Sequence, residues 1–163
     1  LYYGSRDHHV RRMNINNFET LTTFQPPHMD TVTGLATSKG YLISGSKDRN
    51  LRLWSLDNSI YNLKSTKSAS NDYINCVEGE IYPYAEDSYH PIFYSGDRTG
   101  QVKVGSVMKE KIEFIGSFGH SQSVNSISSL EINRCTATAS ADKSIKIWQP
   151  TNETFHQIES NLC

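Results

Sequence analysis

Two stretches of the chain place the same polar residues at the same spacings. In each stretch a Val follows a His by four positions, a hydroxyl residue precedes an Asp by four, and a Trp follows that Asp by six. Short runs of alternating apolar and polar residues, joined by tight polar turns, are typical of a β-meander. The shared positions are His28, Ser44, Asp48 and Trp54 in the first stretch and His120, Thr138, Asp142 and Trp148 in the second. A pattern repeated at fixed offsets predicts an all-β chain built from repeated sheets.

The repeated side chains can satisfy one another if they are buried together. An indole N–H needs an acceptor, which a hydroxyl on the neighbouring strand can supply, and an Asp at the corner can accept from the His. The same residue types also form Ser-His-Asp catalytic triads. Because the set occurs twice in one chain, we interpret it as a structural hydrogen-bond network and predict no catalytic residue. The sequence therefore indicates a protein that is not an enzyme.

These stretches resemble the WD40 repeat, whose signature is a Gly-His pair, a Ser-Gly-Ser-x-Asp corner and a strand that ends in Trp-Asp. Gly119-His120 matches the pair, and residues 44–48 match the corner. Pro27 stands in place of the Gly in the first copy, and neither Trp is followed by Asp. The resemblance implies an all-β protein, a β-propeller whose blades are four-stranded antiparallel sheets.

The resemblance predicts about four blades in one propeller segment that covers residues 1–163. Corner positions at residues 7, 48, 99 and 142 place the blades at about residues 1–25, 28–63, 72–117 and 120–160. The first blade lacks its innermost strand, and the third has Ser70, Thr99 and Gly105 in place of the His, Asp and Trp. Replacement of the Trp by Gly predicts a looser third blade. Because rings of this family most often have seven blades, we expect the chain to be the C-terminal part of a longer, seven-bladed protein.

Several segments outside the repeated pattern carry their own predictions. Residues 64–71 are rich in Ser and Lys without periodicity and are predicted to be a loop. Residues 78–91 combine acidic and aromatic side chains and are predicted to be an enlarged loop in the third blade, away from the corners. Outer strands are predicted at residues 21–24, 111–117 and 154–158.

Charge balance and the cysteine pattern exclude several kinds of function. The chain has 16 basic and 17 acidic side chains, which disfavours a domain that binds polyanions with its whole surface. No apolar run approaches the roughly 18 residues that a membrane-spanning helix needs, so we predict no membrane binding. Cys76, Cys135 and Cys163 lack metal-ligand spacing, so we predict no metal and no cofactor. The first two are predicted to be buried free thiols.

Longer segments are similar to the C-terminal WD40 domain of family-four kinesin heavy chains. They are residues 24–30, 43–48, 89–96 and 135–142, and the similarity extends from Leu1 to about Gln149. It implies a protein-binding scaffold at the tail of a kinesin-like motor protein, located in the cytoplasm and associated with the cytoskeleton. The sequence contains no Gly-x-x-x-x-Gly-Lys-Ser/Thr loop, so a motor would lie outside this chain.

The WD40 resemblance also implies a docking face at the blade corners. In the family this face uses the third and fifth residues after each His and the residue before each corner Asp. Three of the matching positions are cationic, which suits an acidic or phosphorylated protein segment, or the acidic surface of tubulin in the kinesin interpretation. The predicted partner-binding residues are Arg6, Thr31, Thr33, Lys47, Tyr73, Asn75, Arg98, Ser123, Asn125 and Ala141.

Two alternatives stay open on the sequence. The first is a scaffold subunit of another multiprotein complex, with the same face and a different partner. The second is an RNA-binding propeller that uses a basic cluster with neighbouring aromatic rings. That cluster contains Tyr2, Tyr3, Arg6, His8, His9, Arg11 and Arg12. Acidic residues elsewhere balance it, so we do not predict nucleic-acid binding.

Overall fold

The computed structural model of the chain describes residues 1–56, 61–84, 88–130, 135–150 and 155–162. Within these residues every regular element is a β-strand, and the strands form four separate antiparallel sheets. Within each sheet, every strand pairs with the strand that follows it in the chain, as expected for short period-two runs joined by tight turns. Among the same residues, no helix is long and apolar enough to cross a membrane. We name the sheets blades 1 to 4 in chain order.

Blade 1 has three strands and the other blades have four. Blade 1 contains β1 (Tyr2–Gly4), β2 (Val10–Met13) and β3 (Thr20–Thr23). Blade 2 contains β4 (Val32–Ser38), β5 (Tyr41–Ser46), β6 (Asn50–Ser55) and β7 (Leu63–Ser68). Blade 3 contains β8 (Ile74–Tyr84), β9 (Ser88–Asp97), β10 (Gln101–Met108) and β11 (Lys111–Gly119). Blade 4 contains β12 (Val124–Leu130), β13 (Cys135–Ser140), β14 (Ser144–Pro150) and β15 (Phe155–Leu162). The architecture is that of a partial β-propeller with about four blades, the first three-stranded.

The hydrophobic core lies between successive blades. Between blades 1 and 2, Phe24 packs against Trp54 with ring centroids 5.3 Å apart, and both side chains are buried. A second cluster around Ile43, Leu53 and Phe93 joins blades 2 and 3. A third, which includes Tyr94, Val104, Val124 and Ile127, joins blades 3 and 4. Blades 2 and 3 are therefore covered on both faces, which explains why their central strands are nearly continuously buried.

Glycines near the ends of β1, β5 and β9 let the blades approach closely. A Cβ built on Gly4 would lie 2.4 Å from Val32 Cγ1, and one on Gly45 would lie 2.5 Å from Val77 Cγ2. Gly96 meets the first strand of blade 4 in the same way. A larger residue at any of these positions would collide with a side chain of the next blade. The same close contact therefore recurs at all three blade interfaces.

The prediction of a loop at residues 64–71 is wrong, because most of this segment is a strand. β7 (Leu63–Ser68) pairs antiparallel with β6 and forms the outer edge of blade 2. Its side chains are mostly polar and half-buried, which hides the period-two pattern, and lysines are common on such edges. Two of the lysines form ion pairs with blade 3: Lys64 Nζ lies 2.8 Å from Oε1 of Glu110, in the turn before β11, and Lys67 Nζ lies 3.7 Å from Oε2 of Glu113, in β11.

The prediction of an enlarged loop at residues 78–91 is also wrong. Strands β8 and β9 continue as a long hairpin, and their pairing extends through Ile81↔Pro91 to Tyr84↔Ser88. Residues 85–87, at its tip, lie outside the described residues. The acidic and aromatic segment therefore lengthens the sheet of blade 3. The outer strands predicted at residues 21–24, 111–117 and 154–158 overlap β3, β11 and β15.

A phenylalanine from the neighbouring strand fills the space beside Gly105 in blade 3. In blade 2, Trp54 lies opposite Leu42, whereas in blade 3 the small Gly105 lies opposite the large Phe93. The Phe93 ring is fully buried, and a Cβ built on Gly105 would lie only 2.1 Å from its Cζ atom. The bulky side chain has moved to the adjacent strand. The loss of the Trp therefore does not leave a gap, and the reason for expecting a looser third blade is removed.

Candidate functional site

Blade 2 contains a connected set of hydrogen bonds made by the four repeated side chains. His28 Nε2 lies 2.7 Å from Ser44 Oγ, and His28 Nδ1 lies 2.8 Å from Asp48 Oδ2. Trp54 donates its indole N–H to the same Ser44 oxygen at 2.9 Å. All the polar groups are satisfied when Ser44 donates to the imidazole and His28 carries its proton on Nδ1.

Burial distinguishes this network from a catalytic triad. Ser44 has no exposed surface and His28 is 2% exposed, so a substrate cannot reach the hydroxyl. The indole N–H of Trp54 also occupies a lone pair of the Ser44 oxygen that a nucleophile would use. The geometry supports a structural role for the network.

Blade 4 contains the same network with Thr in place of Ser. His120 Nε2 lies 2.8 Å from Thr138 Oγ1, and its Nδ1 lies 2.9 Å from Asp142 Oδ2. Trp148 donates its indole N–H to Thr138 Oγ1 at 2.8 Å. Ser144 adds a hydroxyl that donates to Asp142 Oδ1 at 2.6 Å. The hydrogen bond from Ser144 contributes most to lowering the pKa of Asp142 below its usual value.

Each network fixes the loop that precedes the first strand to the corner between the second and third strands. Asp48 accepts the backbone N–H of Met29 on one carboxylate oxygen and that of Asn50 on the other, both at 2.9 Å. Burial alone would raise the pKa of Asp48. The hydrogen bonds from His28, Met29 and Asn50 outweigh burial and lower that pKa to about 2. The corner is therefore held by an ionised, almost fully hydrogen-bonded carboxylate.

The lowered pKa of Asp48 predicts a loss of stability in acid. The group contributes its full stabilisation above its ordinary pKa of 3.8, and the contribution is lost as the pH falls toward 2. We expect the Tm of the chain to fall over this interval. In Asp48→Asn, which cannot take up the proton, the fall should be smaller. Circular dichroism melts from about pH 6 down to pH 2 measure both profiles, and equal falls in the two proteins would contradict the assignment.

Blade 3 contains a smaller hydrogen-bond network that was not predicted from the sequence. Ser70 Oγ donates to Asp97 Oδ2 at 2.5 Å, and Asp97 Oδ1 accepts the backbone N–H groups of Thr99 and Gln101 at 2.9 and 3.0 Å. Asp97 occupies the place of Ser46, two positions before the usual corner Asp, because both residues pair with the start of the first strand. The sequence feature that could have indicated this network is the acidic residue in the third position of the Ser-Gly-x corner.

A basic residue on the third strand holds the loop before each repeated His. The buried Arg52 donates to the carbonyls of Pro26 and Pro27 at 2.6 and 2.5 Å, and Lys146 donates to the carbonyl of Gly119 at 3.0 Å. Burial lowers the pKa of Arg52 from its usual value. Both basic residues lie opposite the hydroxyl residue of their network across the strand pair. This contact was not predicted from the sequence, because it joins residues about 26 positions apart.

The basic cluster considered for RNA binding is partly engaged within the chain. Arg11 forms two hydrogen bonds with Asp7, at 2.9 and 2.5 Å. This contact contributes most to lowering the pKa of Asp7. Arg12 donates to the hydroxyl of Tyr61 and lies 5.7 Å from the centre of its ring. Two of its arginines therefore contact other residues of the chain, which weakens the RNA alternative.

The predicted partner-binding residues lie at the corners, partly joined in pairs. The backbone N–H of Lys47 donates to the carbonyl of Thr31 at 3.0 Å, and that of Arg98 donates to the carbonyl of Tyr73 at 2.9 Å. Ala141 and Ser123 are joined in the same way at 2.9 Å. Exposed members of the predicted set are Arg6, Arg98, Asn125 and Ala141, and half-buried members are Thr31, Thr33, Lys47, Tyr73, Asn75 and Ser123.

Two members of the predicted set use their polar atoms to join blades. Thr33 Oγ1 donates to the carbonyl of Ile74 in blade 3 at 2.6 Å. Asn75 Nδ2 donates to the carbonyl of Val124 in blade 4 at 3.0 Å and to Ser123 Oγ at 2.8 Å. These side chains fix the spacing of the inner strands. Their contact with a partner stays a prediction.

Two cations of the predicted face share one aromatic ring. Lys47 Nζ and Arg98 Cζ each lie 5.6 Å from the centre of the Tyr73 ring, so Tyr73 lies between corners of blades 2 and 3. Among the described residues, neither cation forms an ion pair with a carboxylate within 4.0 Å. The ring therefore has a positive charge from each of two neighbouring corners beside it, which is an arrangement that can attract an anion.

The cysteines and possible metal ligands add no further site to this face. Burial raises the pKa of Cys76 to about 11, so it is a thiol at neutral pH; Cys76 and Cys135 are half-buried and not fully buried as predicted. Cys163 lies outside the described residues. No cluster of three His, Cys, Asp or Glu side chains that could hold a metal ion occurs in the part of the chain that the structure describes.

Comparison with known proteins gives the same repeats and a set of distant relatives. The family described as "WD domain, G-beta repeat" matches residues 18–55 and 112–149. The human kinesin-like protein KIF21A is 28% identical over 162 residues, covering 95% of this chain and 9% of the relative. The human kinesin-like protein KIF21B is 30% identical over 156 residues, covering 89% of this chain and 8% of the relative. The chain thus spans less than a tenth of the length of these relatives.

Among solved structures, the crystal structure of the computationally designed Ika8 protein has the same fold. The two chains superpose with a TM-score of 0.75 at 20% sequence identity, over 98% of this chain and 45% of that one. This likeness shows the fold alone. Together with the repeated corner networks and the four stacked sheets, these matches show that the chain contains WD40 repeats and is distantly similar, over most of its length, to the KIF21 kinesin-like proteins.

Proposed function

We propose that the chain is a protein-binding module whose corner face holds an acidic or phosphorylated segment of a partner. The observation that carries this function is the Tyr73 ring, beside which both Lys47 and Arg98 lie without an ion pair to any carboxylate among the described residues. An Arg can bind a carboxylate or phosphate through two parallel hydrogen bonds, whereas the Lys adds a point charge. The two cations together suit an anionic side chain.

The buried networks support this function because they make the face rigid. Asp48 and Asp97 each hold the backbone of a corner through several hydrogen bonds. Lys47 directly precedes Asp48, and Arg98 directly follows Asp97. Cations that are already in place lose less conformational entropy when a partner binds. The network residues thus act as the frame, and the binding groups lie beside them.

The module would serve as a scaffold in the tail of a kinesin-like protein. Its similarity to KIF21A and KIF21B over about nine tenths of the chain supports this assignment. The chain would then form part of a longer, seven-bladed propeller, and the partner would be a cargo protein or the acidic surface of tubulin. A cytoplasmic location with cytoskeletal association would follow from that role.

Charge reversal on the face tests the proposal. We expect Lys47→Glu and Arg98→Glu each to weaken binding of a fluorescent peptide, with one phosphoserine flanked by glutamates, about tenfold at low salt. The Tm should stay nearly unchanged, because Arg98 is exposed, Lys47 is only half-buried, and substitutions at the surface usually alter stability by less than about 0.5 kcal/mol. The matched control is Lys111→Glu, an exposed cation that begins β11, just after the turn at the end of β10 opposite the blade 3 corner. Normal binding by both face variants would contradict the proposed function.

A further inference from the structure

The residue after each corner position has a left-handed backbone in all four blades. The φ angles are 76° at His8, 71° at Arg49, 96° at Gly100 and 65° at Lys143. Hydrogen bonds on both sides fix this conformation in blade 2, where Arg49 N–H donates to the carbonyl of Ser46 and the next N–H donates to Asp48. The side chains of Arg49 and Lys143 therefore leave rigid positions at the corners, and both are exposed.

With these two residues, the corners of four consecutive blades carry an uninterrupted series of cations. The series, which we call the corner arc, consists of Arg6, Lys47, Arg49, Arg98 and Lys143. Among the described residues, no member of the corner arc forms an ion pair within 4.0 Å. The arc is longer than the pair of cations around Tyr73, which by itself would satisfy one anionic group.

The acidic residues of the same face are occupied by hydrogen bonds. Asp48, Asp97 and Asp142 have carboxylates that accept corner N–H groups and are almost fully buried. Asp30 and Asp72 each accept the N–H of the residue that follows, at 2.6 and 2.7 Å. In blades 2 to 4 the side chains that project most freely from the corners are therefore the cations, and at the blade 1 corner the exposed Asp7 is paired with Arg11. This charge distribution favours an anionic partner over a neutral one.

We infer that an extended acidic segment of a partner protein lies along the corner arc and contacts all four blades. This inference rests on the proposed function and assigns Arg49 and Lys143 to the same site. An exposed ion pair contributes only about 0.2–1 kcal/mol. A partner that used one corner would bind weakly, whereas a segment with several carboxylates gains from each corner that it reaches.

Binding of glutamate oligomers of two lengths tests the inference on the whole chain. Oligomers of about four and about sixteen residues reach roughly 14 Å and 55 Å when extended. At low salt we expect the long oligomer to bind at least tenfold more tightly. Lys47→Glu should weaken both oligomers, whereas Arg49→Glu and Lys143→Glu should weaken the long one about three- to tenfold and leave the short one unchanged. Fluorescence anisotropy measures each affinity.

Two further variants separate charge from folding. Lys143→Gln, which removes the charge without reversing it, should show a smaller loss for the long oligomer, and Lys111→Glu should bind both oligomers as the wild type does. If Lys47→Glu weakens binding but Arg49→Glu and Lys143→Glu do not, the extended path is overturned and the proposed function remains. If neither oligomer binds the wild-type chain, both proposals are overturned.

Discussion

Replacing Asp48 by alanine is expected to lower the free energy of unfolding by about 3–5 kcal/mol. The change leaves the imidazole of His28 and the N–H groups of Met29 and Asn50 without their acceptor. His28 is buried, so its ring nitrogen cannot turn to solvent for a replacement. Urea unfolding followed by tryptophan fluorescence measures the loss, because Trp54 belongs to the same network.

Two other substitutions show whether this loss belongs to the network. Asp30→Ala removes a carboxylate that accepts a single backbone N–H, and we expect it to cost less than about 1 kcal/mol. Asp142→Ala should lower the Tm clearly, because it removes the equivalent acceptor in blade 4. If Asp48→Ala were no more harmful than Asp30→Ala, the network would not be what holds the corner.

Gly105→Ala is expected to destabilise the chain by about 3 kcal/mol, a large effect for one added methyl group. The new Cβ would fall 2.1 Å from Cζ of the buried Phe93 ring, so the ring or the strand has to move. Equilibrium unfolding in urea gives the difference in stability. A loss below about 0.5 kcal/mol would show that Phe93 does not occupy this space.

A second substitution provides the control for Gly105→Ala. Phe93→Leu places in blade 3 the residue that lies opposite Trp54 in blade 2, which is Leu42. By itself it should be destabilising, because it opens a cavity. In the Gly105→Ala background it should restore part of the lost stability, since it makes room for the methyl group. A double-mutant cycle should therefore give a favourable coupling of about 1–3 kcal/mol between the two changes.

The buried networks bear on function through what they hold in place. Ser44 and Thr138 are almost fully buried, so the repeated polar residues form a frame rather than a reactive centre. The groups that remain accessible are the cations at the corners and the ring of Tyr73 between two of them. Substitutions in the frame should thus reduce stability, while substitutions in the corner arc should reduce binding. This separation lets the two roles be measured independently.

The parts of the fold that depend on short spacings could be predicted from the sequence. In blade 2, the sequence alone indicated β4, β5 and β6 and placed His28, Ser44, Asp48 and Trp54 together. Consecutive antiparallel strands bring residues at fixed offsets face to face, so local spacing is enough to indicate such contacts. The outer strand β7 was missed because its exposed edge carries Lys and Ser in place of an alternating apolar pattern.

The features of the fold and of the site that depend on contacts between strands or blades were decided only by the tertiary structure. The role of Asp97 requires the bulged pairing at the start of β8, and the moved ring of Phe93 requires an empty position on the opposite strand. Thr33 reaches a carbonyl 41 positions away, in the next blade. The sequence determined which blades carry a full network, because each network lies within one sheet. The packing of successive sheets decided which polar groups are used inside the protein, and it left the cations of the corner arc without an ion pair among the described residues.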